Sequence, residues 1–303
     1  MTPDLRAVLF GHPVKHSRSP ELFAALRRAG GHHVDFQLRD VPPDQLHQAL
    51  RRLRQGEWDA AGITIPYKEQ AADLADELTG VGTLAGTVNA IAQRKGRLIG
   101  TNTDGPGFLR ALEQLAPGLD PKGLPVLILG AGGAARGVAA ALKMTGAHIT
   151  LVSRSPSRRA SQLAHLAEDF VDWSPAALLP AARRARLIVQ ATPIGMSPNV
   201  DDCLPLPEGM FSHQPLAVDL IYTPWETTFL SAARAAGVHA LNGWPMLVYQ
   251  AAEALDFWLG PGAGDRLPTA VCAIETRDPT QATEPKTMNG GRRWVRQQAD
   301  CSG

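Results

Sequence analysis

Lys68 lies where a side chain could take part in chemistry. It comes two residues after the β-type run GITIP (62–66), which ends in a proline, and it lies at the start of a helix-forming segment. A lysine at that position is either a solvated residue at the start of a helix or a proton-transfer group held at the mouth of a cleft. The local sequence alone favours the solvated residue, so the choice depends on the other segments.

Polar side chains with suitable chemistry occur on both sides of Lys68. Ser17 and Ser19 are two residues apart just ahead of a predicted helix, and two hydroxyls beside a helix N-terminus make a good carboxylate receptor. Ser19 would also serve as a simple helix N-cap. Asn89 lies in a β-type run and Asp104 lies at a turn before a helix, where both residue types are also common in ordinary turns.

A glycine-rich turn joins a buried strand to a helix in VLILGAGGAARG (126–137). Its glycines are Gly130, Gly132 and Gly133, and the sixth position of the GxGxxG fingerprint is Ala135, a variant that the fingerprint allows. Glycines let the backbone turn tightly and approach a pyrophosphate, which then meets the free N–H groups of the helix N-terminus. A strand before and a helix after the turn favour a dinucleotide site over a turn used only for packing.

The end of the following strand indicates which dinucleotide would bind. A fold that prefers NAD usually has Asp or Glu about 20 residues further on, where it accepts a hydrogen bond from the ribose 2′-OH. This chain has Ser153, Arg154 and Ser155 there, with Arg158 and Arg159 beyond them, and no carboxylate. Guanidinium groups suit a 2′-phosphate because they offer paired donors. We therefore expect NADP rather than NAD, although a solvated helix start would also accommodate these arginines.

The overall composition is globular. The chain has 303 residues, 44% of them hydrophobic and 19% charged, which is enough for two domains of ordinary size. Its net charge of +1 gives no electrostatic footprint for nucleic acid, and it has neither a membrane-length apolar run nor a secretory signal. The three cysteines, Cys203, Cys272 and Cys301, are far apart, so we expect a reducing cytoplasm, no disulfide framework and no metal site.

The elements that must position these residues form two units of alternating strands and helices. In the first unit we predict strands at 7–11, 33–41 and 59–66, helices at 19–30, 42–56 and 67–78, and a hairpin within 87–105. In the second unit we predict strands at 126–130, 147–155, 185–192 and 216–222, and helices at 134–146, 155–167 and 243–260. The alternation indicates right-handed crossovers and a parallel sheet. The loop QATPIGMSP (190–198), after a parallel strand, is a candidate wall for the nicotinamide. Residues 265–303 lack periodicity and read as a poorly ordered tail.

Nine segments in order resemble the shikimate dehydrogenase family, and together they extend over residues 9 to about 258. Each segment by itself is weak evidence for the family, but nine segments in the same order are specific for it. The segments are HSRSP (16–20), GITIPYKEQA (62–71), AGTVNAI (85–91), GTNTDGPG (100–107), LGAGGAARG (129–137), SRS (153–155), QATPIGM (190–196), DLIYTPWETTFL (219–230) and NGWPMLVYQAAEALDFW (242–258).

The resemblance implies an α/β enzyme that reversibly reduces 3-dehydroshikimate to shikimate with NADP. Residues 1–104 would form a mixed α/β substrate-binding and catalytic domain, and residues 105–242 a Rossmann-like, doubly wound NADP domain with a parallel sheet. The helix at about 243–260 would pack back on the first domain and close the cleft. A monomer or homodimer that binds only small molecules is expected.

The resemblance also implies the roles of individual residues. Lys68 and Asp104 would be the catalytic pair. The substrate-binding residues would be Ser17 and Ser19 at the carboxylate, Tyr222 near it, and Thr64, Asn89, Asp104 and Gln250 at the ring hydroxyls or the reacting oxygen. The cofactor-binding residues would be Gly130, Gly132, Gly133 and Ala134 at the pyrophosphate, Ser153, Arg154, Ser155 and Arg158 at the adenosine phosphate, and Thr192, Met196 and Gly243 near the nicotinamide.

One position departs from the family pattern in the segment that carries Lys68. The family's usual stretch reads Asn-Val-Thr-x-Pro-x-Lys, whereas Gly62 stands at the asparagine position here. Loss of that amide removes a hydrogen bond worth about 1–3 kcal/mol when its partner stays buried. The expected reaction type is unaffected, but quinate or a related cyclic hydroxy acid stays open as the substrate. A non-catalytic NADP-sensing module is the remaining alternative, and such a module would have no need for Lys68 with Asp104.

Overall fold

Two six-stranded sheets organise residues 2–271, the part of the chain that the structure, a computed structural model, describes. The strands of the first sheet are β1 (Leu5–Gly11), β2 (Val34–Asp40), β3 (Ala60–Ile63), β4 (Glu77–Thr79), β5 (Ala90–Arg94) and β6 (Arg97–Thr101). The strands of the second sheet are β7 (Pro125–Leu129), β8 (His148–Val152), β9 (Asp169–Val171), β10 (Leu187–Gln190), β11 (Leu216–Asp219) and β12 (Ala240–Leu241).

The helices cover the faces of both sheets. They are α1 (Ser19–Arg28), α2 (Leu46–Arg54, preceded by a 3₁₀ turn at Pro43–Gln45), α3 (Lys68–Leu74), α4 (Val81–Ala85), α5 (Asp104–Leu115), α6 (Gly133–Met144), α7 (Pro156–Leu163), α8 (Pro175–Arg184), α9 (Thr228–Ala235), α10 (Trp244–Leu259) and α11 (Leu267–Val271).

The first sheet is mixed and has the order β2-β1-β3-β5-β6-β4. Strands β1, β2 and β3 are parallel, whereas β5 is antiparallel to both β3 and β6. Successive side chains of a strand point to opposite faces, and β3 follows that rule. Ala61 and Ile63 pack with residues of α2 and α3, and Ala60 packs on the other face with residues of α1 and α10. The carboxyl end of β3 therefore leads straight into the turn before α3, whose first residue is Lys68.

The second sheet is entirely parallel and has the order β12-β11-β10-β7-β8-β9. When β7 is numbered 1 and the sheet is read from β9 to β12, this is the order 3-2-1-4-5-6 of the doubly wound dinucleotide-binding fold, as predicted. Its strand order reverses between β7 and β10, which run side by side with Leu129 opposite Gln190. In open α/β sheets, ligands bind at the carboxyl ends of the strands at such a switch point. The glycine-rich turn after β7 lies at that point.

The structure differs from the prediction in the segment 67–78. The sequence predicts one helix there, but α3 ends at Leu74 and the chain becomes extended at Ala75 before pairing as β4 with β6. Asp76 accepts hydrogen bonds from the backbone N–H of Leu98, at 2.6 Å, and from Arg54, at 2.5 Å. These partners are distant in sequence, so tertiary pairing overrides the local helix preference.

The first residues of the predicted tail also differ from the prediction. Leu267–Val271, which the sequence assigns to a poorly ordered tail, form the short helix α11. Leu267 and Val271 are fully buried in the cluster that joins α1, α10 and the first sheet. The apolar contacts of these two side chains explain why the order extends past 265. The remainder of the predicted tail lies outside the described residues.

Candidate active site and cofactor site

Lys68 and Asp104 form a buried ion pair. Lys68 Nζ donates to Asp104 Oδ2 at 2.5 Å, and the side chains are 12% and 6% exposed. Lys68 is the first residue of α3 and Asp104 the first of α5, so the fold brings two helix starts together from 36 positions apart. The N-terminal turn of a helix favours a carboxylate there, which suits Asp104. The pair can therefore hold and move a proton in a site that largely excludes water.

Asn89 and Gln250 lie next to this pair. Asn89 Nδ2 donates to Asp104 Oδ1 at 2.9 Å, and it is 3.3 Å from Gln250 Oε1. Thr103, which is not among the residues predicted from the sequence, hydrogen-bonds to both Asn89 and Gln250. Its N–H donates to Asn89 Oδ1 at 2.7 Å and its hydroxyl donates to the Gln250 carbonyl at 2.9 Å. Four of the predicted site residues, Lys68, Asp104, Asn89 and Gln250, are thus joined in one hydrogen-bonded cluster.

Ser17, Ser19 and Tyr222 form a second cluster. The Ser17 hydroxyl donates to Ser19 Oγ at 3.2 Å and accepts from the Ser19 N–H at 3.3 Å. Ser19 is the first residue of α1 rather than its N-cap, so its hydroxyl is not used as a helix cap. The Tyr222 hydroxyl interacts with Ser17 and with the backbone of Arg18. Burial raises the pKa of Tyr222, and those two contacts lower it by less.

Arg18 adds positive charge beside these hydroxyls. Its guanidinium lies 4.4 Å from the ring centroid of Trp244, at the start of α10, and it donates to Glu21 at 2.7 Å. Arg18 is not among the site residues predicted from the sequence. The segment that carries the two serines is therefore packed against the helix that follows the second sheet.

Thr64 and Gly62 lie on the strand end and turn before Lys68. Thr64 is half-buried and its methyl group faces Gly11, where an added Cβ would be 2.3 Å from Thr64 Cγ2. A Cβ on Gly62 would be 2.9 Å from Leu9 Cδ1 and 3.8 Å from Phe36 Cζ. The Asn89 carbonyl oxygen lies 3.9 Å from the same position, so a side chain at Gly62 would meet two apolar groups and one polar group.

The glycine-rich turn has the features that a pyrophosphate needs. Gly130 has φ of +117°, and a Cβ there would be 3.0 Å from Thr192 Cγ2, so both conformation and space require glycine. Gly132 is the N-cap of α6, no side chain caps that helix, and a Cβ on Gly132 would meet nothing within 4 Å. Gly133 and Ala134 form the first turn of α6. An uncapped helix N-terminus with open space in front of it fits a bound phosphate anion.

The end of β8 has the features that a 2′-phosphate needs. Ser153 follows β8, and its Oγ accepts from the Ser155 N–H at 3.2 Å, at the start of α7. Arg154 and Arg158 are exposed, and neither forms an ion pair with another residue of the described chain. Two guanidinium groups without a carboxylate partner leave their donors available for an anion.

Thr192 and Met196 lie on the loop after β10, and a buried side chain shapes that loop. Gln190 is fully buried. Its Oε1 accepts from the Thr192 N–H at 2.6 Å, and its Nε2 donates to the carbonyls of Thr192 and Ile194 at 3.1 Å. Ser197 N–H donates to the Thr223 carbonyl, which links the loop to the segment after β11. Gln190 is not among the site residues predicted from the sequence, although its position at a strand end was a usable signal.

A buried carboxylate holds the segment after β11, which carries Tyr222. Asp219 is fully buried and accepts from the Thr227 hydroxyl at 2.6 Å and from the Ile221 N–H at 2.9 Å. Burial raises the pKa of Asp219 to about 7, against the lowering effect of these two hydrogen bonds. Gly243, at the end of the same region, donates its N–H to the Ile221 carbonyl, and a Cβ there would be 2.2 Å from the Leu220 oxygen.

Arg136 joins the two units beside the lysine. It lies in the first turns of α6 and donates to Glu69 of α3 at 2.7 Å. The Arg136 side chain is 10% exposed and the Glu69 side chain 44% exposed. Burial lowers the pKa of Arg136, and the nearby Glu69 carboxylate raises it. This ion pair keeps the start of α6 close to the start of α3.

Residues 2–271 show neither a metal-ligand cluster nor a membrane span. In that range, no group of three or more His, Cys, Asp or Glu side chains is arranged to hold a metal ion. Over the same range, no helix combines the length and the apolar character needed to cross a bilayer.

Comparisons with known proteins agree on one family. Residues 9–91 match the model described as the shikimate dehydrogenase substrate binding domain. The chain is 40% identical over 256 residues to a Thermus thermophilus protein named shikimate dehydrogenase (NADP(+)), covering 84% of this chain and 93% of that one.

Solved structures give the same result. The crystal structure of shikimate 5-dehydrogenase from Thermus thermophilus, in complex with NADP(H) and shikimate, is 38% identical, with a TM-score of 0.73 over 88% of this chain and 99% of that one. The ligand-free structure of 5-ketofructose reductase from Gluconobacter sp. strain CHM43 is 31% identical, with a TM-score of 0.71 over 88% of this chain and 98% of that one. Related chains of this fold therefore carry names that refer to different substrates.

Proposed function

The chain belongs to the shikimate dehydrogenase family, and on that basis we propose that it catalyses the reversible, NADP-dependent reduction of 3-dehydroshikimate to shikimate. The observation that carries the proposal is the buried Lys68–Asp104 pair next to the glycine-rich turn. A Cβ on Gly133 of that turn would be 2.7 Å from Lys68 Cβ. The proton-transfer group and the proposed cofactor cradle are therefore neighbours.

Lys68 is the proposed proton donor for reduction. NADPH, when bound, supplies the hydride. A ketone that accepts hydride develops negative charge on its oxygen, and an ammonium group both stabilises that charge and delivers a proton to it. Asp104 holds Lys68 Nζ at 2.5 Å, and Asn89 fixes Asp104 through its other oxygen. In the oxidation direction the same pair removes the hydroxyl proton.

The proposed substrate contacts come from both clusters. Ser17 and Ser19, with the Tyr222 hydroxyl next to Ser17, would bind the substrate carboxylate through hydroxyl donors. Asn89, Asp104 and Gln250 would bond the ring hydroxyls or the reacting oxygen, and Thr64 would contribute from the turn before Lys68. A substrate bound at both ends would be oriented with its reacting carbon near the lysine.

The proposed cofactor contacts follow the carboxyl ends of the second sheet. Gly130, Gly132, Gly133 and Ala134 would hold the pyrophosphate at the start of α6. Ser153, Arg154, Ser155 and Arg158 would hold the adenosine 2′-phosphate after β8, and Thr192, Met196 and Gly243 would border the nicotinamide. The uncapped helix supports this assignment, as do the two arginines that have no ion-pair partner within the described chain.

One assay series tests the proposal. Purified protein is incubated with shikimate or quinate and with NADP or NAD, and the absorbance of the reduced cofactor is followed. Lys68→Met should lower kcat by about 10²- to 10⁴-fold, the usual contribution of a positioned proton-transfer group. Asp104→Asn should lower it similarly, and the double variant little further, because the two act as one unit. Wild-type rates in Lys68→Met would refute the lysine assignment.

The combinations of acid and cofactor in that series distinguish a shikimate enzyme from a quinate enzyme and from an NADP-sensing module. Gly62 supplies no amide at the position where the family pattern has asparagine, and this departure is the reason to test quinate or a related cyclic hydroxy acid as a second substrate class. Turnover of quinate at a higher kcat/KM than shikimate would replace the proposed substrate. A protein that binds NADP but turns over neither acid would instead be an NADP-sensing module or an enzyme for another substrate.

The proposal includes a cytoplasmic monomer or homodimer whose partners are these small molecules. Cys203 is an exposed free thiol, which is compatible with a reducing compartment. Light scattering coupled to size-exclusion chromatography would distinguish the monomer from the homodimer.

A further inference from the structure

We propose that Asn102 is a positioning residue for the Lys68–Asp104 pair, and that Gly137 of α6 fixes Asn102 in its working conformation. The inference rests on the proposed function. Helix α6, which starts at the glycine-rich turn, would then also set the geometry of the Lys68–Asp104 pair.

Asn102 holds the start of α5, where Asp104 is the first residue. Its side chain is almost fully buried, and Asn102 Oδ1 accepts from the N–H groups of Asp104 at 3.0 Å and Gly105 at 3.4 Å. Thr103, the residue just before α5, makes no capping hydrogen bond with its side chain. Asn102 therefore does the work of a helix cap and fixes the direction in which Asp104 leaves the backbone.

Gly137 determines where the Asn102 side chain can lie. A Cβ on Gly137 would be 2.3 Å from Asn102 Oδ1 and 2.7 Å from its Cγ and Nδ2. A Cβ on Gly105 would likewise be 2.3 Å from the Gly137 oxygen and 2.6 Å from Ala141 Cβ. Helices α5 and α6 therefore meet at a distance that only glycine permits, with the Asn102 amide enclosed between them.

Hydrogen bonds through Thr87 connect Asn102 to the glycine-rich turn, and that turn also contacts Lys68. Asn102 Nδ2 donates to Thr87 Oγ1 at 2.9 Å, and the Thr87 hydroxyl donates to the Gly133 carbonyl at 3.3 Å. Gly133, the first residue of α6, also lies against the aliphatic stem of Lys68. One end of α6 thus touches both members of the pair, Lys68 directly and Asp104 through Asn102.

Gly137→Ala tests this arrangement. The new methyl group requires Asn102 Oδ1 to move by about 1 Å to reach an ordinary contact distance. Because Asn102 Oδ1 accepts from the Asp104 N–H, the shift is passed on to Asp104, and a misplacement of about 1 Å at a catalytic group can lower the rate by about 10²-fold. We expect kcat to fall about 10- to 100-fold, with KM for shikimate and the dissociation constant for NADP changed less than about threefold. The kcat–pH profile should also change, because the geometry of the proton-transfer pair is altered.

Asn102→Ala provides the second variant, because it leaves every residue of α6 unchanged. It should lower kcat and change the kcat–pH profile in the same way. The double variant Asn102→Ala/Gly137→Ala should resemble Asn102→Ala alone, since the side chain that the methyl group would strike is absent. Val138→Ala is the matched control: Val138 is a buried residue of α6 that packs with the second sheet. It should lower the melting temperature but keep kcat and the pH profile close to those of wild type.

The outcomes separate the two proposals. Absence of turnover in the wild type would overturn the proposed function itself. Wild-type turnover with folded Gly137→Ala and Asn102→Ala variants that keep the wild-type kcat and pH profile would overturn the positioning role alone. An equal loss of kcat in Val138→Ala would also overturn the positioning role, as would strictly additive losses of kcat in the double variant. Both results would indicate a general effect of packing.

Discussion

Replacing Asp219 by an asparagine should make the stability of the protein much less dependent on pH. Asp219 is fully buried at the end of β11, and burial raises its pKa from 3.8 to about 7. The folded state therefore keeps a proton that the unfolded chain has released between these two pH values. The stability contributed by the neutral acid is fully present below about pH 4 and is lost as the pH rises to about 7.

The size of the effect follows from the two pKa values. A difference from 3.8 to about 7 corresponds to about 4 kcal/mol, because each pH unit between them contributes about 1.4 kcal/mol. The amide that the substitution introduces has no charge to lose, and its oxygen can still accept from the Ile221 N–H. The free energy of unfolding of Asp219→Asn, relative to wild type, should therefore rise by up to about 4 kcal/mol between about pH 4 and pH 8.

Urea unfolding of both proteins at several pH values from about 4 to about 8 measures this difference. Asp201→Asn, which changes an exposed carboxylate, is the control and should give a curve parallel to wild type. Parallel curves for Asp219→Asn and wild type would refute the reasoning, because they would mean that Asp219 has the same pKa in the folded and unfolded chain.

Three further predictions concern the proposed binding residues and the contact between the units. Ser17→Ala and Ser19→Ala should each raise KM for shikimate about tenfold with little change in kcat, since each removes one hydrogen bond to a charged group. Arg154→Gln combined with Arg158→Gln should weaken NADP binding by about tenfold or more and NAD binding much less, measured by titration calorimetry. Glu69→Gln should lower the free energy of unfolding by about 1 kcal/mol in urea, because Arg136 stays buried without a carboxylate; an unchanged midpoint would contradict this.

The second sheet could be predicted in some detail because its signals are local. An apolar strand, a glycine turn and a helix follow one another within 126–146, and each depends on neighbouring residues. The predicted parallel, doubly wound sheet is confirmed in the structure. The same local signals failed at residues 75–79, where Asp76 pairs with Leu98 and Arg54 and the predicted helix ends early.

The candidate site was predictable as a set of residues but not as a geometry. Lys68, Asn89, Asp104 and Gln250 come from four separate segments, and the family resemblance alone grouped them. Periodicity and propensity describe neighbours along the chain, so they cannot report that Asn89 Nδ2 lies 2.9 Å from Asp104 Oδ1.

The fold class could be predicted from the sequence, as could a glycine-rich turn of the dinucleotide-binding type and an arginine cluster that suits NADP, because these features depend on short segments with their own conformational preferences. The sequence also identified Lys68 as a candidate, with a solvated helix start as the alternative. That Lys68 lies against Asp104, with the two side chains 12% and 6% exposed, and that the Asn102 amide lies against Gly137, became visible only in the folded structure. The raised pKa of Asp219 likewise results from its burial in the folded chain. Burial and close approach are properties of contacts between distant segments, and they exist only once the two sheets and their helices have packed together.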